Sequence, residues 1–420
     1  MSKGFKETEI GLIPSEWKVS DLSEICDLKK KTCIPSEAHT DIYVGLEHIG
    51  TGQFILNRHG NPDEVRSAKN CFIENDILYG KLRPYLDKAV MTNCTGICST
   101  DILVFTPKNQ TPSLYIVATI HTKQFLTHAI KTTHGVNHPR TSWVAIKAFR
   151  FPLPPLPEQK KIAAVLSKLQ KAIEIQDKIL GSLRDLKKSM MHRLFSYGLK
   201  GEKRKKTEIG LMPEGWAVTT LIKQCQKPEY GFTESAQRDN VGPKFLRITD
   251  ITEKGVDWEH VPYCICPKEK LDKFRLINND ILFARIGATT GKSFIVKNPP
   301  IAIYASYLIR VRPLKMIAPD FLYYYFSTEK YWKQIDAQKG NCLKGGVNGS
   351  ILSELIIPLP PVPEQTEIAH ILQTIDHKIE IHKGKKSSYQ NLFKTMLNKL
   401  MTGTIRVNEL DIDTAEVEAA

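Results

Sequence analysis

Three absences bound this chain. No apolar run approaches the eighteen or so residues that a membrane span needs, and the opening MSKGFKETEI lacks the apolar stretch of a secretory leader. No membrane partner and a cytoplasmic setting are therefore expected. No cysteine pair has the two-residue gap usual in zinc sites: the nearest, Cys94/Cys98 and Cys264/Cys266, are spaced otherwise, and nine cysteines is an odd number. Reduced thiols, mostly packed in cores, are the expectation, with no metal. Complete catalytic motifs are missing too. GATTGKS (Gly287 to Ser293) puts its first glycine one residue too close to Gly-Lys-Ser for a triphosphate loop, and no acidic strand end stands ready for magnesium. NPPI (Asn298 to Ile301) has isoleucine where an aromatic ring would stack a flipped adenine. Gly50-Thr51-Gly52 leads into Gln-Phe, with no cofactor helix after it. The first motif is better read as a hairpin after the strand DILFARI, the second as a turn between strands. Nucleotide hydrolysis and unaided methyl transfer are set aside, and no catalytic residue is assigned.

What the chain has in excess is positive charge. It carries 59 Lys+Arg against 45 Asp+Glu, a net +14, with a pI near 9.2. That balance favours a polyanionic partner, most often nucleic acid. A length of 420 residues suffices for two or three domains, and 41% hydrophobic with 25% charged residues is the composition of folded protein.

It also has everything twice. PLPPLPEQKKIAAVL from Pro152 returns as PLPPVPEQTEIAHIL from Pro358. TEIGLIPSEWKVSDL (Thr8 to Leu22) returns as TEIGLMPEGWAVTTL (Thr207 to Leu221). Between these marks each half carries NDIL (Asn75 to Leu78, Asn279 to Leu282), a Pro-initiated amphipathic stretch from Pro112 or Pro319, and a Gly-Val-Asn loop (Gly135 to Asn137, Gly346 to Asn348). Marks in the same order mean two copies of one unit, too few for a solenoid. Residues 27–73 and 226–277 share little beyond one expected strand each, IYVGLEHI (Ile42 to Ile49) and FLRITDI (Phe245 to Ile251).

After each Pro-Glu-Gln the apolar spacing changes to alternating steps of four and three: Ile162, Leu166, Leu169, Ile173, Gln176, Leu180, and in the second copy Ile368, Leu372, Ile375, Ile379, His382, Lys386. Proline suits the first helical turn and glutamate its positive end. The spacing is a heptad seam of about 40 residues, about 60 Å of helix at ~1.5 Å per residue. Such a seam requires a partner, and the simplest is the other helix. Antiparallel alignment would set Ile162 opposite Leu400, Gln176 opposite Lys386 and Leu180 opposite His382, gathering polar register-setting groups mid-seam. His382 is read as a seam residue and not as a ligand. The basic connector KGEKRKKTE (Lys200 to Glu208) is read as a solvated linker, and Asn408 to Ala420, with Glu409, Asp411, Asp413, Glu416 and Glu418, as a disordered acidic end.

Taken together, the duplicated TEIGxxPxxW entry, NDIL, the PLPPxPEQ exit and the heptad helices resemble the specificity subunit of type I restriction-modification enzymes, over nearly the whole chain. The expected fold is α+β with an internal pseudo-twofold repeat: two similar mixed α/β target recognition domains separated by two long antiparallel coiled-coil helices. The expected divisions are 1–157 for the first recognition domain, 158–199 for the first spacer helix, 200–363 for linker and second domain, 364–403 for the second helix and 404–420 for the acidic tail. The resemblance implies a non-catalytic subunit whose two domains each read half of a split double-stranded DNA sequence. It implies helices that dock two methylation subunits, which methylate adenine, and restriction subunits that translocate DNA. S-adenosylmethionine, ATP and Mg would then sit on those partners, with no cofactor on this chain.

DNA-binding candidates come from two segments per half. After NDIL these are Lys81, Arg83, Tyr85 and Lys88 in the first copy and Arg285 and Lys292 in the second; from the Gly-Val-Asn loops they are His138 and Arg140, and Lys344 and Asn348. Arginine can pair bidentately with guanine and asparagine with adenine, while lysine more often holds the backbone. A reading from another class stays open: an assembly scaffold that binds no DNA and whose globular units bind proteins. Steep salt dependence of binding would separate the two.

Overall fold

The computed structural model describes residues 4–252, 255–339 and 346–415. The chain divides into two compact units, residues 1–178 with 383–420, and residues 179–382. Each unit therefore holds part of both long helices, Leu156–Tyr197 (42 residues) and Val362–Met401 (40 residues).

The repeated motifs become repeated structure. Thr-Glu-Ile-Gly closes a hairpin in each unit, Phe5–Thr8 with Gly11–Pro14 and Arg204–Thr207 with Gly210–Pro213. The glycine is required, because Gly11 and Gly210 sit at φ +103° and +97° and a side chain there would be strained. The threonine hydroxyl of each turn donates to the glycine carbonyl at 2.7 Å. The connector expected to be solvated from Lys200 to Glu208 thus ends at residue 203, since its basic run supplies a hairpin strand.

NDIL starts the central strand of a four-stranded sheet, Ile77–Gly80 or Ile281–Ala284. Asn75 and Asn279 take the left-handed conformation that asparagine tolerates, at φ 68° and 72°. The aspartate that follows is buried. Asp76 accepts from Ile73 N–H and pairs with Lys29 (2.7 Å); Asp280 accepts from Ile277 N–H and pairs with Arg312 (2.7 Å). The two strands expected in the dissimilar stretches are shorter than their apolar runs, Tyr43–Val44 and Lys244–Leu246. Each gives way to a 3-10 turn, Leu46–His48 or Ile248–Asp250, where a side chain captures the preceding N–H: His48 Nδ1 takes Gly45 N–H (2.9 Å) and Asp250 takes Arg247 N–H (2.8 Å). Both strands then pair in parallel with a later strand, Gly96–Cys98 or Ala302–Tyr304.

Every expected seam position is buried or half-buried, with Ile162, Leu166, Ile368, Leu372 and Leu400 fully enclosed. In the first unit Asp177 meets Lys386 at 2.5 Å; in the second Lys187 meets Asp376 at 2.6 Å. Rising numbers on one helix meet falling numbers on the other, so the helices run antiparallel. Both pairs sit one position from the expected alignment, as charges flanking a seam do. Such exposed pairs are worth up to about 1 kcal/mol each, whereas one buried leucine contributes ~1.5–3 kcal/mol. The apolar seam therefore supplies the attraction, and the charges favour one register. Among the described residues no helix is long and apolar enough to cross a membrane.

Pro-Glu-Gln closes each globular unit onto its helix. Gln159 and Gln365 side-chain amides fold back on the carbonyls of Pro154 and Pro360 at 2.8 Å. Glu158, 3% exposed, accepts from Trp17 Nε1 (2.8 Å) and from Arg406 Nε (2.7 Å). The acidic end expected to be disordered from 404 is instead placed as far as the described residues reach. Ile405, Val407 and Ile412 join the first core, and Lys161 donates to the carbonyls of Asn408 and Leu410. Its apolar residues outweigh its charge locally. Glu416 and Glu418 lie outside the described residues. Removing one partner of a buried ion pair strands the other, at a cost of ~3–5 kcal/mol. Arg406→Ala is accordingly expected to destabilise the first unit by about that much, with Arg406→Lys falling between; the denaturant midpoint of hydrogen-exchange protection over residues 5–25 measures it.

Candidate nucleic-acid interface

In the first unit the sheet delivers the segment after NDIL directly against the Gly-Val-Asn loop. Arg83 N–H donates to Pro139 O (2.7 Å), and Thr141 N–H to Lys81 O (3.0 Å). A tight turn projects from this junction: Arg83 and Asp87 take φ 51° and 50° on either side of a 3-10 turn, Pro84–Leu86. Asp87 is tied to the buried His121 at 2.7 Å, which fixes the turn. Arg83 and His138 are exposed, and Tyr85 is 51% exposed, so it is not a core residue. Lys88 behaves differently, because its ammonium donates to Leu46 O at 2.5 Å and braces the turn from behind. Arg140 pairs through two N–H groups with Asp101. That pairing holds the Asp101 carboxyl below its ordinary range and raises the guanidinium's affinity for its proton.

The second unit joins its two segments by other bonds. Val347 N–H donates to Arg285 O (3.0 Å), and Arg285 N–H to Tyr307 O (3.0 Å). The Arg285 guanidinium lies over the Tyr230 ring, 5.0 Å from its centre, and the Tyr230 hydroxyl accepts from Gly349 N–H (3.0 Å). Lys292 is exposed in the loop of the hairpin formed by Ile281–Ala284 and Ser293–Ile295. The GATTGKS segment is this hairpin: where a phosphate loop would open a helix, Ser293 continues as strand. NPPI is a turn, with Asn298 at φ 45°. Asn348 caps the helix Gly349–Glu354, its side-chain oxygen accepting from Ile351 N–H at 2.9 Å. Lys344 lies outside the described residues.

Each unit thus brings both candidate segments together, although the sequence separates them by about 50 residues. Asp101 and Tyr230 take part in these junctions and were missed by sequence reasoning, since neither stands in a repeated motif. Among the described residues there is no cluster of three His, Cys, Asp or Glu side chains able to hold a metal ion.

The family model described as the type I restriction modification DNA specificity domain matches residues 14–184 and again residues 214–389. The chain belongs to this family. Its two matches fall on the two copies seen in the sequence, and a specificity subunit of this family serves DNA recognition. A type I restriction enzyme specificity subunit of Methanocaldococcus jannaschii, MjaVIII, is 30% identical, with 97% of both chains covered. The MjaX specificity subunit of the same organism is 29% identical, covering 96% of this chain and 97% of the relative. In three dimensions, the S subunit of the type I restriction-modification system from M. genitalium superposes with a TM-score of 0.63 at 15% identity, covering 96% of this chain and 99% of that one, which supports the shared fold.

For a specificity subunit the capping role of Asn348 has a direct consequence. Asn348→Ala is expected to cost about 1 kcal/mol through the lost cap, and Asn348→Ser to restore most of it. Hydrogen exchange across residues 349–354 checks both.

Proposed function

We propose that this chain reads a bipartite DNA sequence, one half per unit, through the paired loop segments, and that it does so within a complex whose other subunits modify and cleave the DNA. The convergence of the two segments in both units carries this reading. What the two copies share is a frame, and what differs between them is the side chains on its loops. Arg83, Tyr85, His138 and Lys292 are accessible there, and sequence is read by side chains that reach base edges.

The finer assignments follow the same reading. Two methylation subunits acting on adenine would match two copies of the entry motif, and restriction subunits would add translocation. S-adenosylmethionine, ATP and Mg would sit on those partners, as the family resemblance implies. The segments Thr8 to Leu22 and Thr207 to Leu221, identical at nine of fifteen positions, suit a partner that is the same at both.

The test is co-expression with the neighbouring methylation subunit and mapping of methylated adenines by long-read sequencing. A split motif with a fixed gap is expected, with one half changed when residues 27–149 are exchanged for those of a relative and the other half changed when residues 226–355 are exchanged. An unchanged motif from an assembled complex would favour the scaffold reading.

A further inference from the structure

Each junction contains an arginine held by a partner that no repeated motif supplies. In the first unit Arg140 Nε and Nη2 donate to Asp101 Oδ1 and Oδ2 at 2.9 and 3.2 Å, while its backbone exchanges two hydrogen bonds with His134. Nη1 has only a long contact, 3.5 Å, to His138 O, and the side chain keeps 46% of its exposure. Asp101 is itself fastened to the neighbouring segment, its carbonyl accepting from Lys81 N–H (2.9 Å). In the second unit the Arg285 guanidinium rests on the Tyr230 ring and makes no hydrogen bond or ion pair among the described residues. Tyr230 is fastened in turn, by its strand pairing with Ile309 and by its hydroxyl's bond to Gly349 N–H.

We propose that Arg140 and Arg285 are the base-reading arginines of the two units, each addressing a guanine, and that Asp101 and Tyr230 are the residues that aim them. This rests on the DNA-reading function proposed above. A phosphate contact is served best by an unpaired, freely swinging cation, and a carboxylate partner weakens it by cancelling charge. Base readout has the opposite requirement, since two N–H groups must meet guanine O6 and N7 together, and a guanidinium fixed in plane loses less freedom in doing so. Asp101 takes one edge of Arg140 and leaves the N–H groups of Nη1 and the second N–H of Nη2. Tyr230 restrains Arg285 through its ring face, which consumes no donor. The two units would therefore solve the same problem with different chemistry.

The test uses the full chain in its complex with the methylation subunit, reading the methylated motif across a genome. The wild type is expected to show at least one guanine, on either strand, in each half. Arg140→Lys and Asp101→Asn should relax the requirement at one guanine of one half by about tenfold to a hundredfold, the value of a bidentate contact, and leave the other half unchanged. Arg285→Lys and Tyr230→Leu should do the same to the other half, while Tyr230→Phe, which keeps the ring, should retain the motif. Thermal unfolding of the complex is expected to stay unchanged in the two lysine variants, which separates aiming from folding. A motif unaltered in both lysine variants, or relaxed in both halves by a change in one unit, would overturn the proposal. Should the wild-type complex methylate without any split motif, it is the DNA-reading function that fails instead.

Discussion

A carboxylate taken out of water must be answered by donors, and the first unit is arranged around one such group. Glu158 stands in the first turn of a long helix, where the helix end favours negative charge, yet it is almost wholly enclosed. Its donors come from far apart in the chain: Trp17 from just after the N-terminal hairpin, Arg406 from beyond the end of the other long helix. An unanswered buried charge costs several kcal/mol, more than any single exposed contact returns. The carboxylate therefore selects a fold in which the entry motif, the helix start and the segment that follows the other long helix meet. The proline-rich lead-in has the same effect, because residues ahead of proline stay extended and the glutamine bonds back to a proline carbonyl.

The second unit reaches the same arrangement with a different set of bonds. Glu364 stands where Glu158 stands, but accepts from Leu199 N–H (3.2 Å), and Trp216 is buried like Trp17 without a hydrogen-bond partner for its Nε1 among the described residues. Gly198, at φ +67°, makes this possible: a side chain there would meet the Glu364 carboxylate at 2.9 Å. What recurs is the packing of tryptophan, helix start and helix end; the hydrogen bonds vary around it. Repetition of a shape without repetition of its bonds is what permits two copies to diverge on their loops while their frames persist.

Much of that frame was legible. The seam could be read because a period near 3.5 is sustained over about 40 residues, and only a helix with a partner satisfies it. The TEIG entry could be read as a repeated mark, but not as the hairpin turn that its left-handed glycine closes. The tail misled, since composition counts Glu409, Asp411 and Asp413 but not the placement of Ile405, Val407 and Ile412 among them. The dissimilar stretches hid a true correspondence: a short parallel strand followed by a 3-10 turn occurs in both units, capped by His48 in one and Asp250 in the other. Different side chains performing one backbone task leave no common pattern in a sequence.

The candidate segments were legible as repeated marks, whereas their meeting in each unit and the partners of their side chains were not. Motif repetition located the loops because the backbone that presents them is under the same constraint in both units. It could not separate Lys88, which braces a turn, from Arg83, which is exposed beside it, since both are cations in one short run. Nor could it find Asp101 or Tyr230, whose partners lie 39 residues away in one case and 55 in the other (140 minus 101, 285 minus 230). A residue that aims another is defined by a contact, and contacts across a sheet have no fixed spacing in the chain. In a protein whose frame is duplicated and whose loops are free to differ, the residues that hold the loop side chains in place are thus the ones the sequence leaves least marked.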